Sequence, residues 1–398
     1  MTLAMQMLLG TSEGETIGGL LPPPAEDGNA GISVSVSLSE VSLNRRLAIG
    51  APGFEGGVVF IYEAPIGSAN FSFLTTVPNA SIQTDNEFGR AVALSDDGLR
   101  LIVGAPNEAV PDFTVGGGRV HTFSWNGSVY QKDGGPPLDS GDVFAGANAR
   151  FGETLAIDKS GVTILVGAPK AQADIGYAYT YVATGDAPPL TQWVQLAGKL
   201  AGTFFAGNFA KSLDMGFGGL NAIAVGQGPL NPELSFFDRP DSASQFILRQ
   251  TSQITGGAAS CTLDDNGQLA FVGGRVGLFP NQLESYGQIG NLSWTFRAVL
   301  VGIPGGTPNY AFSMAASDDR LVVSDINGGG QVNIYSFQLN GNMAFMQTDF
   351  APQGGESEAK FGFALKINNA PLYVAGEPDR DRSGFEDAGN VYVLPVPT

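Results

Sequence analysis

Apolar and polar residues follow a fixed order that recurs along most of the chain. One copy reads FGRAVALSDDGLRLIVGAP over residues 88–106, and another reads FGETLAIDKSGVTILVGAP over residues 151–169. In each copy an alternating segment is followed by a short turn that ends in Gly, and then by a nearly continuous apolar run. The alternation predicts a strand with two unlike faces, whereas the apolar run predicts a strand buried on both faces.

Two further segments complete each copy. A loop of variable length leads to an aromatic-rich segment, such as GGRVHTFSW at 117–125, and a weaker segment such as NFSFLTTV at 70–77 follows. Four antiparallel strands in every roughly 50 residues, repeated around a ring, are typical of a β-propeller. We therefore predict an all-β fold, a seven-bladed β-propeller of four-stranded antiparallel blades, with copies that start near residues 30, 88, 151, 209, 257, 310 and 361.

The two ends of the chain predict how the ring closes. Residues 1–398 are expected to form a single domain in which the last copy, from residue 361, lacks a fourth strand. The apolar segment 1–12 is predicted to supply that strand as a latch, with residues 13–29 as the connector into the first blade. The repeat is least regular over residues 203–310, where a distorted blade is expected.

The paired Phe-Gly and Gly-Ala-Pro motifs, followed by the aromatic strand, resemble the FG-GAP repeat of integrin-α-type propellers. The resemblance runs from about residue 30 to the C-terminus, and the copies at 88 and 151 carry it best. It implies a non-enzymatic interaction, adhesion or structural assembly module that binds a partner through loops on one face. An extracellular, cell-surface or virion location is implied as well, although the first basic residue is Arg45 and no signal peptide is predicted.

Many repeats of that family carry calcium loops between their first two strands, and this chain departs from that pattern. The corresponding turns, such as SDDGLR at 95–100 and DKSGVT at 158–163, hold two acidic residues at most. Lys159 would repel a cation. These segments are therefore predicted to be plain hairpin turns capped by Asp and Asn side chains, and no cofactor is required.

Composition narrows the classes of partner. The net charge is −18 and no Lys/Arg cluster occurs, so binding to nucleic acid or to an anionic membrane surface is disfavoured. No apolar run is long enough to span a bilayer. The expected partner is another protein or a glycan, or a larger assembly. The single cysteine, Cys261, is predicted to be a buried core residue.

Two long loops are the candidates for binding, because a rigid scaffold usually carries function on its loops. The first loop spans residues 107–118 and the second spans residues 376–390, and both are predicted to join the second and third strands of a blade. The candidate binding residues are Asp112, Phe113, Arg380, Arg382 and Phe385. The candidate ligands for Ca²⁺ are Asp379, Asp381, Glu386 and Asp387. The alternative for this second loop is a solvated segment whose arginines pair with the carboxylates.

No catalytic motif is present, and the chain is predicted not to be an enzyme. The only histidine, His121, lies in an ordinary alternating strand, which favours a structural role. Two alternatives remain for the function. One is a lectin propeller that binds sugars in pockets between blades, and the other is a polysaccharide hydrolase or lyase that uses a pair of carboxylates.

Overall fold

The computed structural model describes most of the chain, and all structural statements below concern the described residues. These are 17–20, 28–37, 44–54, 56–66, 68–79, 81, 85–110, 117–141, 148–184, 192–202, 207–227, 232–254, 260–274, 282–289, 293–301, 310–317, 319–352, 359–367, 372–381 and 386–397.

The described strands form seven separate sheets of four antiparallel strands each. In the first six sheets the strands follow one another in chain order, so each sheet is a meander. Blades 1 to 3 consist of β2 (Ser33–Val36), β3 (Asn44–Ala51), β4 (Val58–Pro65) and β5 (Ser72–Pro78); β6 (Ala91–Leu94), β7 (Arg100–Ala105), β8 (Arg119–Trp125) and β9 (Tyr130–Lys132); and β10 (Thr154–Ile157), β11 (Thr163–Ala168), β12 (Tyr177–Thr184) and β13 (Gln192–Gln195).

The second half of the ring repeats this arrangement. Blades 4 to 6 consist of β14 (Ser212–Met215), β15 (Asn221–Gln227), β16 (Pro232–Asp238) and β17 (Ile247–Gln253); β18 (Ser260–Leu263), β19 (Leu269–Gly274), β20 (Gln282–Ile289) and β21 (Ser293–Val301); and β22 (Tyr310–Ser317), β23 (Arg320–Asp325), β24 (Gln331–Phe337) and β25 (Met343–Phe350). Blade 7 contains β26 (Leu365–Ile367), β27 (Leu372–Glu377) and β28 (Asn390–Pro395). The described helical structure amounts to two short turns, α1 (Ala171–Asp174) and a 3₁₀ turn (Phe217–Gly219).

The fold is a seven-bladed β-propeller, as the sequence predicts, and an N-terminal strand closes its last blade. Strand β1 (Ile17–Leu20) pairs antiparallel with β28, with Ile17 opposite Val393 and Leu20 opposite Val391. This closing strand lies inside the segment 13–29 that was expected to be the connector. The predicted latch, residues 1–12, lies outside the described residues. Blades 4 and 5, expected to be the least regular, each have all four strands.

The first strands form the inner wall of the ring. Neighbouring first strands contact each other from β2 and β6 around to β26 and back to β2, whereas the fourth strands carry many exposed residues. Polar side chains join adjacent first strands. For example, Ser35 Oγ accepts the Leu94 N–H at 3.0 Å, and the Asp214 carboxylate accepts the Leu263 N–H at 2.9 Å. The inner wall is therefore held by hydrogen bonds between blades as well as by packing.

Aromatic side chains fill the space between blades, as the repeat predicts. Phe88 packs with Val59 and Ile61 of blade 1 and with Val103 of blade 2, and it is fully buried. Residues at the same position in other copies lie in the other clusters between neighbouring blades: Phe151, Phe209, Tyr310 and Phe361.

Candidate functional site

In blades 2, 3 and 7 of the described chain, the Phe-Gly motif forms a tight turn just before the first strand. In blade 2 the Arg90 N–H donates to the Glu87 carbonyl at 2.9 Å, so Phe88 and Gly89 are the two central residues of the turn. Gly89 has φ +94°, the conformation that the third position of such a turn requires. Blade 3 repeats the turn, with the Glu153 N–H donating to the Arg150 carbonyl at 3.1 Å. We call the side of the ring that carries these turns the top face.

The Gly-Ala-Pro motif meets the Phe-Gly turn of the next blade. A β-carbon on Gly50 of blade 1 would lie 2.0 Å from the carbonyl oxygen of Gly89 in blade 2. Blade 7 makes the same contact with variant motifs: a β-carbon on Gly376, in a Gly-Glu-Pro segment, would lie 1.9 Å from the carbonyl oxygen of Gly31, in the Ala-Gly turn of blade 1. The two halves of the motif thus recur together because each provides one side of a close backbone contact between blades.

The residues that follow the Phe-Gly position, or its equivalent in other copies, lie at the top ends of the first strands, around the central opening. In blades 2 to 4 they are Arg90, Glu153 and Lys211, and in blades 6 and 7 they are Phe312 and Phe363. The opening is therefore charged on one side and apolar on the other. We call the first set, with Glu87 and Arg150, the charged arc, and we call Phe312 with Phe363 the aromatic pair.

Ion pairs run along the charged arc from blade to blade. The Arg150 guanidinium contacts Glu87 at 2.7 Å and also pairs with Glu153, which in turn contacts the Lys211 ammonium at 2.8 Å. Burial acts to raise the pKa of Glu153, but the cations Lys211 and Arg150 outweigh it and hold that pKa below its usual range. Glu153 is therefore an anion at neutral pH. The arc carries three cations against two carboxylates in a chain whose net charge is −18.

The aromatic pair presents apolar surface opposite the arc. The rings of Phe312 and Phe363 have centroids 4.7 Å apart and bring blades 6 and 7 together. Phe312 is 38% exposed, so part of its ring faces solvent. Neither the arc nor the pair was predicted from the sequence, which pointed to the long loops as binding sites. The signal was present as the residue directly after each Phe-Gly position.

The candidate binding residues lie mostly outside the described part of the chain. Asp112, Phe113, Arg382 and Phe385 belong to the segments 111–116 and 382–385, which are not described. Arg380 is described, and its guanidinium lies 3.9 Å from the buried carboxylate of Glu377. The binding role of these five residues stays a prediction.

All four candidate calcium ligands lie in the described part of the chain, but they do not converge on a common point. Asp379 pairs with the Lys360 ammonium, and the Asp381 carboxylate accepts the Asp387 N–H at 3.0 Å. Glu386 is exposed beside them. Within the described part of the chain, no group of three or more His, Cys, Asp or Glu residues has a geometry suited to a metal ion. Calcium binding by these residues stays a prediction.

The hairpins between first and second strands lie on the opposite, bottom face and have the predicted capped turns. The Asp264 carboxylate accepts the N–H groups of Gln268 and Leu269 at 2.7 and 2.8 Å, and Asp158 accepts those of Val162 and Thr163 in the same way. These carboxylates are engaged in stabilising their own turns.

An ion-pair cluster from three blades lies among these hairpins. The Lys159 ammonium of blade 3 is 3.1 Å from Asp265 of blade 5 and 3.9 Å from Asp96 of blade 2. Ser317 of blade 6 donates a hydrogen bond to Asp265 at 2.5 Å. Because burial dominates over Lys159 and Lys366, the pKa of Asp96 is raised to about 6.

The remaining reactive side chains are enclosed. His121 is 2% exposed, and its Nε2 lies 2.7 Å from the buried Glu108 carboxylate, in agreement with a structural role. Cys261 is buried, which confirms the core prediction, and burial raises the pKa of its thiol. Neither group is accessible to a substrate in solution.

Comparison with known proteins supports the fold and no more. No protein-family model and no curated protein matches the chain. Among solved structures, a chain of the mitotic checkpoint complex is 12% identical with a TM-score of 0.58, covering 97% of this chain and 96% of that one. The RRP9 WD40 repeats are 12% identical with a TM-score of 0.57, covering 96% and 97%.

A propeller from Bacteroides uniformis, provisionally assigned as a 6-phosphogluconolactonase, is also similar. It is 12% identical with a TM-score of 0.56, covering 80% of this chain and 85% of that one. At such identities the likeness concerns the fold alone, and it does not decide between an interaction module and an enzyme. No helix among the described segments is long and apolar enough to cross a membrane.

Proposed function

We infer that this chain is a non-enzymatic protein-interaction module that binds its partner at the central opening of the top face. The observation that carries this proposal is the division of that opening into the charged arc and the aromatic pair. Lys211 is 41% exposed and Phe312 is 38% exposed, so cationic and apolar groups are both accessible on one rigid ring. Interfaces commonly combine an aromatic anchor with charged groups that select the partner.

The chemistry of the opening favours a particular kind of partner. The described contacts of Arg90 include no ion pair, and Lys211 and Arg150 add further positive charge. A protein segment that presents a carboxylate beside an aromatic or aliphatic side chain would match both sides of the opening. We also propose that the chain is a divergent propeller of the FG-GAP type with an adhesion or assembly role. The support for this is that the Gly-Ala-Pro motifs of blades 1 and 2 each contact the Phe-Gly turn of the next blade.

A site-specific crosslinking experiment tests the proposal. A photoreactive phenylalanine analogue replaces Phe312 in the opening, and in a matched protein it replaces Leu339, which is 78% exposed on the hairpin between β24 and β25. The expected result is a specific protein adduct from the position of Phe312 and none from that of Leu339. Arg90→Glu and Lys211→Glu should each reduce the yield severalfold. Equal adducts at both positions, or no dependence on Arg90 and Lys211, would refute the proposal.

A further inference from the structure

A cleft of about 480 Å³ lies between blades 4 and 5, on the outer part of the ring. Its volume is within the range of small-molecule sites, roughly 300–1,000 Å³. One wall is the outer strand of blade 4, with Gln250, Ser252 and Gln253. The other wall belongs to the third and fourth strands of blade 5, with Gln282, Glu284, Tyr286, Phe296 and Val299.

The floor of the cleft holds buried polar groups. Glu284 is 4% exposed, and its carboxylate accepts the Tyr286 hydroxyl at 2.7 Å. The Oε1 atom of Gln282 is buried and has no hydrogen-bond partner among the described residues. A buried acceptor without a partner costs free energy, and a donor supplied by a ligand would remove that cost.

The amide groups at the rim are partly fixed. The side-chain carbonyl oxygen of Gln250 accepts the backbone N–H of Trp294 at 3.2 Å. The side-chain amide nitrogen of Gln250 donates to the Ser252 hydroxyl at 3.3 Å. Gln253 is exposed. Glutamine side chains both donate and accept hydrogen bonds, as does a hydroxyl group. The lining can therefore match ligand hydroxyls in either orientation.

An exposed aromatic ring borders the same cleft. Phe296 is 54% exposed and packs edge-on against Tyr286, with ring centroids 5.8 Å apart. Tyr286 in turn packs against Phe236, which stacks on Trp294 at 4.7 Å. Of these rings, Phe296 and Tyr286 line the cleft, and the others support Tyr286 from behind. The negative π-face of a ring attracts the weakly positive C–H groups of a sugar.

We propose that this cleft binds a neutral saccharide, one or two sugar rings in size. Hydroxyl groups would bond to Glu284 and the glutamine amides, while an apolar sugar face would lie against Phe296. The described lining contains no Lys or Arg, and buried Glu284 would repel a carboxylate or phosphate, so an anionic ligand is disfavoured. The site lies away from the central opening and does not depend on the proposed protein-binding function.

A matched pair of phenylalanines provides the test. Phe345 of blade 6 is 47% exposed and packs on Tyr335 with the same 5.8 Å centroid distance, but it does not line the cleft. The full chain is applied to an array of neutral and anionic glycans, and the affinity for the best neutral glycan is then measured by calorimetry. Phe296→Ala and Gln253→Ala should weaken binding at least fivefold, whereas Phe345→Ala should leave it within twofold.

Each outcome decides the proposal. Retained binding in Phe345→Ala together with loss in Phe296→Ala supports it. An array with no bound neutral glycan overturns it, as does preference for sialylated or uronic-acid glycans. Equal weakening by Phe296→Ala and Phe345→Ala would also overturn it, because that result would reflect a general effect on the outer strands. Glu284→Gln is a further variant; if it fails to fold, the exposed residues Phe296 and Gln253 still decide.

Discussion

Gly104 of blade 2 lies directly against the carbonyl group of Gly152 in blade 3. A β-carbon on Gly104 would be only 2.0 Å from that oxygen. On the other side, the Gly152 N–H donates to the Gly167 carbonyl of its own blade at 2.9 Å, which fixes the turn in place. The two glycines therefore set how closely neighbouring blades approach.

The first prediction concerns this contact. Gly104→Ala should lower the free energy of unfolding by about 3 kcal/mol, because the blades must separate to admit the methyl group. Gly328→Ala is the control, since a β-carbon there meets open space and the cost is only that of its φ of +62°, about 1 kcal/mol. Urea unfolding followed by tryptophan fluorescence measures both. Equal costs would mean that the contact between blades is not what requires glycine.

The second prediction concerns the aromatic residue of the same turn. Phe151 is fully buried between blades 2 and 3, so Phe151→Ala should cost about 4 kcal/mol through the cavity that it leaves. Phe350→Ala, at a position that is 65% exposed, should change the stability by less than about 1 kcal/mol. Thermal unfolding of the two variants tests the difference. Similar midpoints would contradict the assignment of Phe151 to the core between blades.

The sequence was sufficient for the blades because their strands and turns are local patterns. The segment SDDGLR at 95–100, for example, was predicted to be a capped hairpin turn from its own residues, and the Asp97 carboxylate accepts the Leu99 N–H at 2.9 Å. The closing strand at Ile17–Leu20 was misplaced within the N-terminal region, since pairing with β28 depends on register rather than on hydrophobicity.

The sites were harder to predict, because their residues come from different blades. Lys159 was recognised as a residue that repels cations, yet its partner Asp265 lies two blades further on. The cleft likewise combines Gln250 of blade 4 with Phe296 of blade 5. Ring closure brings such residues together, and this proximity cannot be inferred from their spacing along the chain.

The third prediction tests the pair that Lys159 and Asp265 form. Lys159→Met should destabilise the fold by about 2 kcal/mol, because it removes the cation that lies nearest to two partly buried carboxylates, Asp265 and Asp96. Lys170→Met provides the comparison. Lys170 pairs with Asp174, but their side chains are 43% and 56% exposed, respectively, so this pair should contribute less than about 0.5 kcal/mol to stability. Urea unfolding at pH 7 gives both values. A negligible effect of Lys159→Met would show that the cluster does not hold the bottom hairpins.

The fourth prediction follows from the carboxyl group of Asp96, whose pKa burial raises from 3.8 to about 6. The folded protein therefore binds this proton more tightly than the unfolded chain does. The free energy of unfolding therefore falls as the pH rises from about 4 to 6, because the buried group must ionise. Above about pH 6 this loss of stability is complete. Asp96→Asn should consequently raise the melting temperature at pH 7.5, and the gain should disappear near pH 4.

Asp241 provides a control of opposite sign for that experiment. Hydrogen bonds from Ser244 outweigh the small effect of burial and hold the pKa of Asp241 below its usual range. Asp241→Asn should therefore give no gain at pH 7.5. The comparison is made by calorimetric melts of both variants across pH 4 to 8. If Asp96→Asn lowered the melting temperature at pH 7.5, its attraction to Lys159 and Lys366 would have to outweigh its burial, and the carboxylate would be a stabilising member of the cluster.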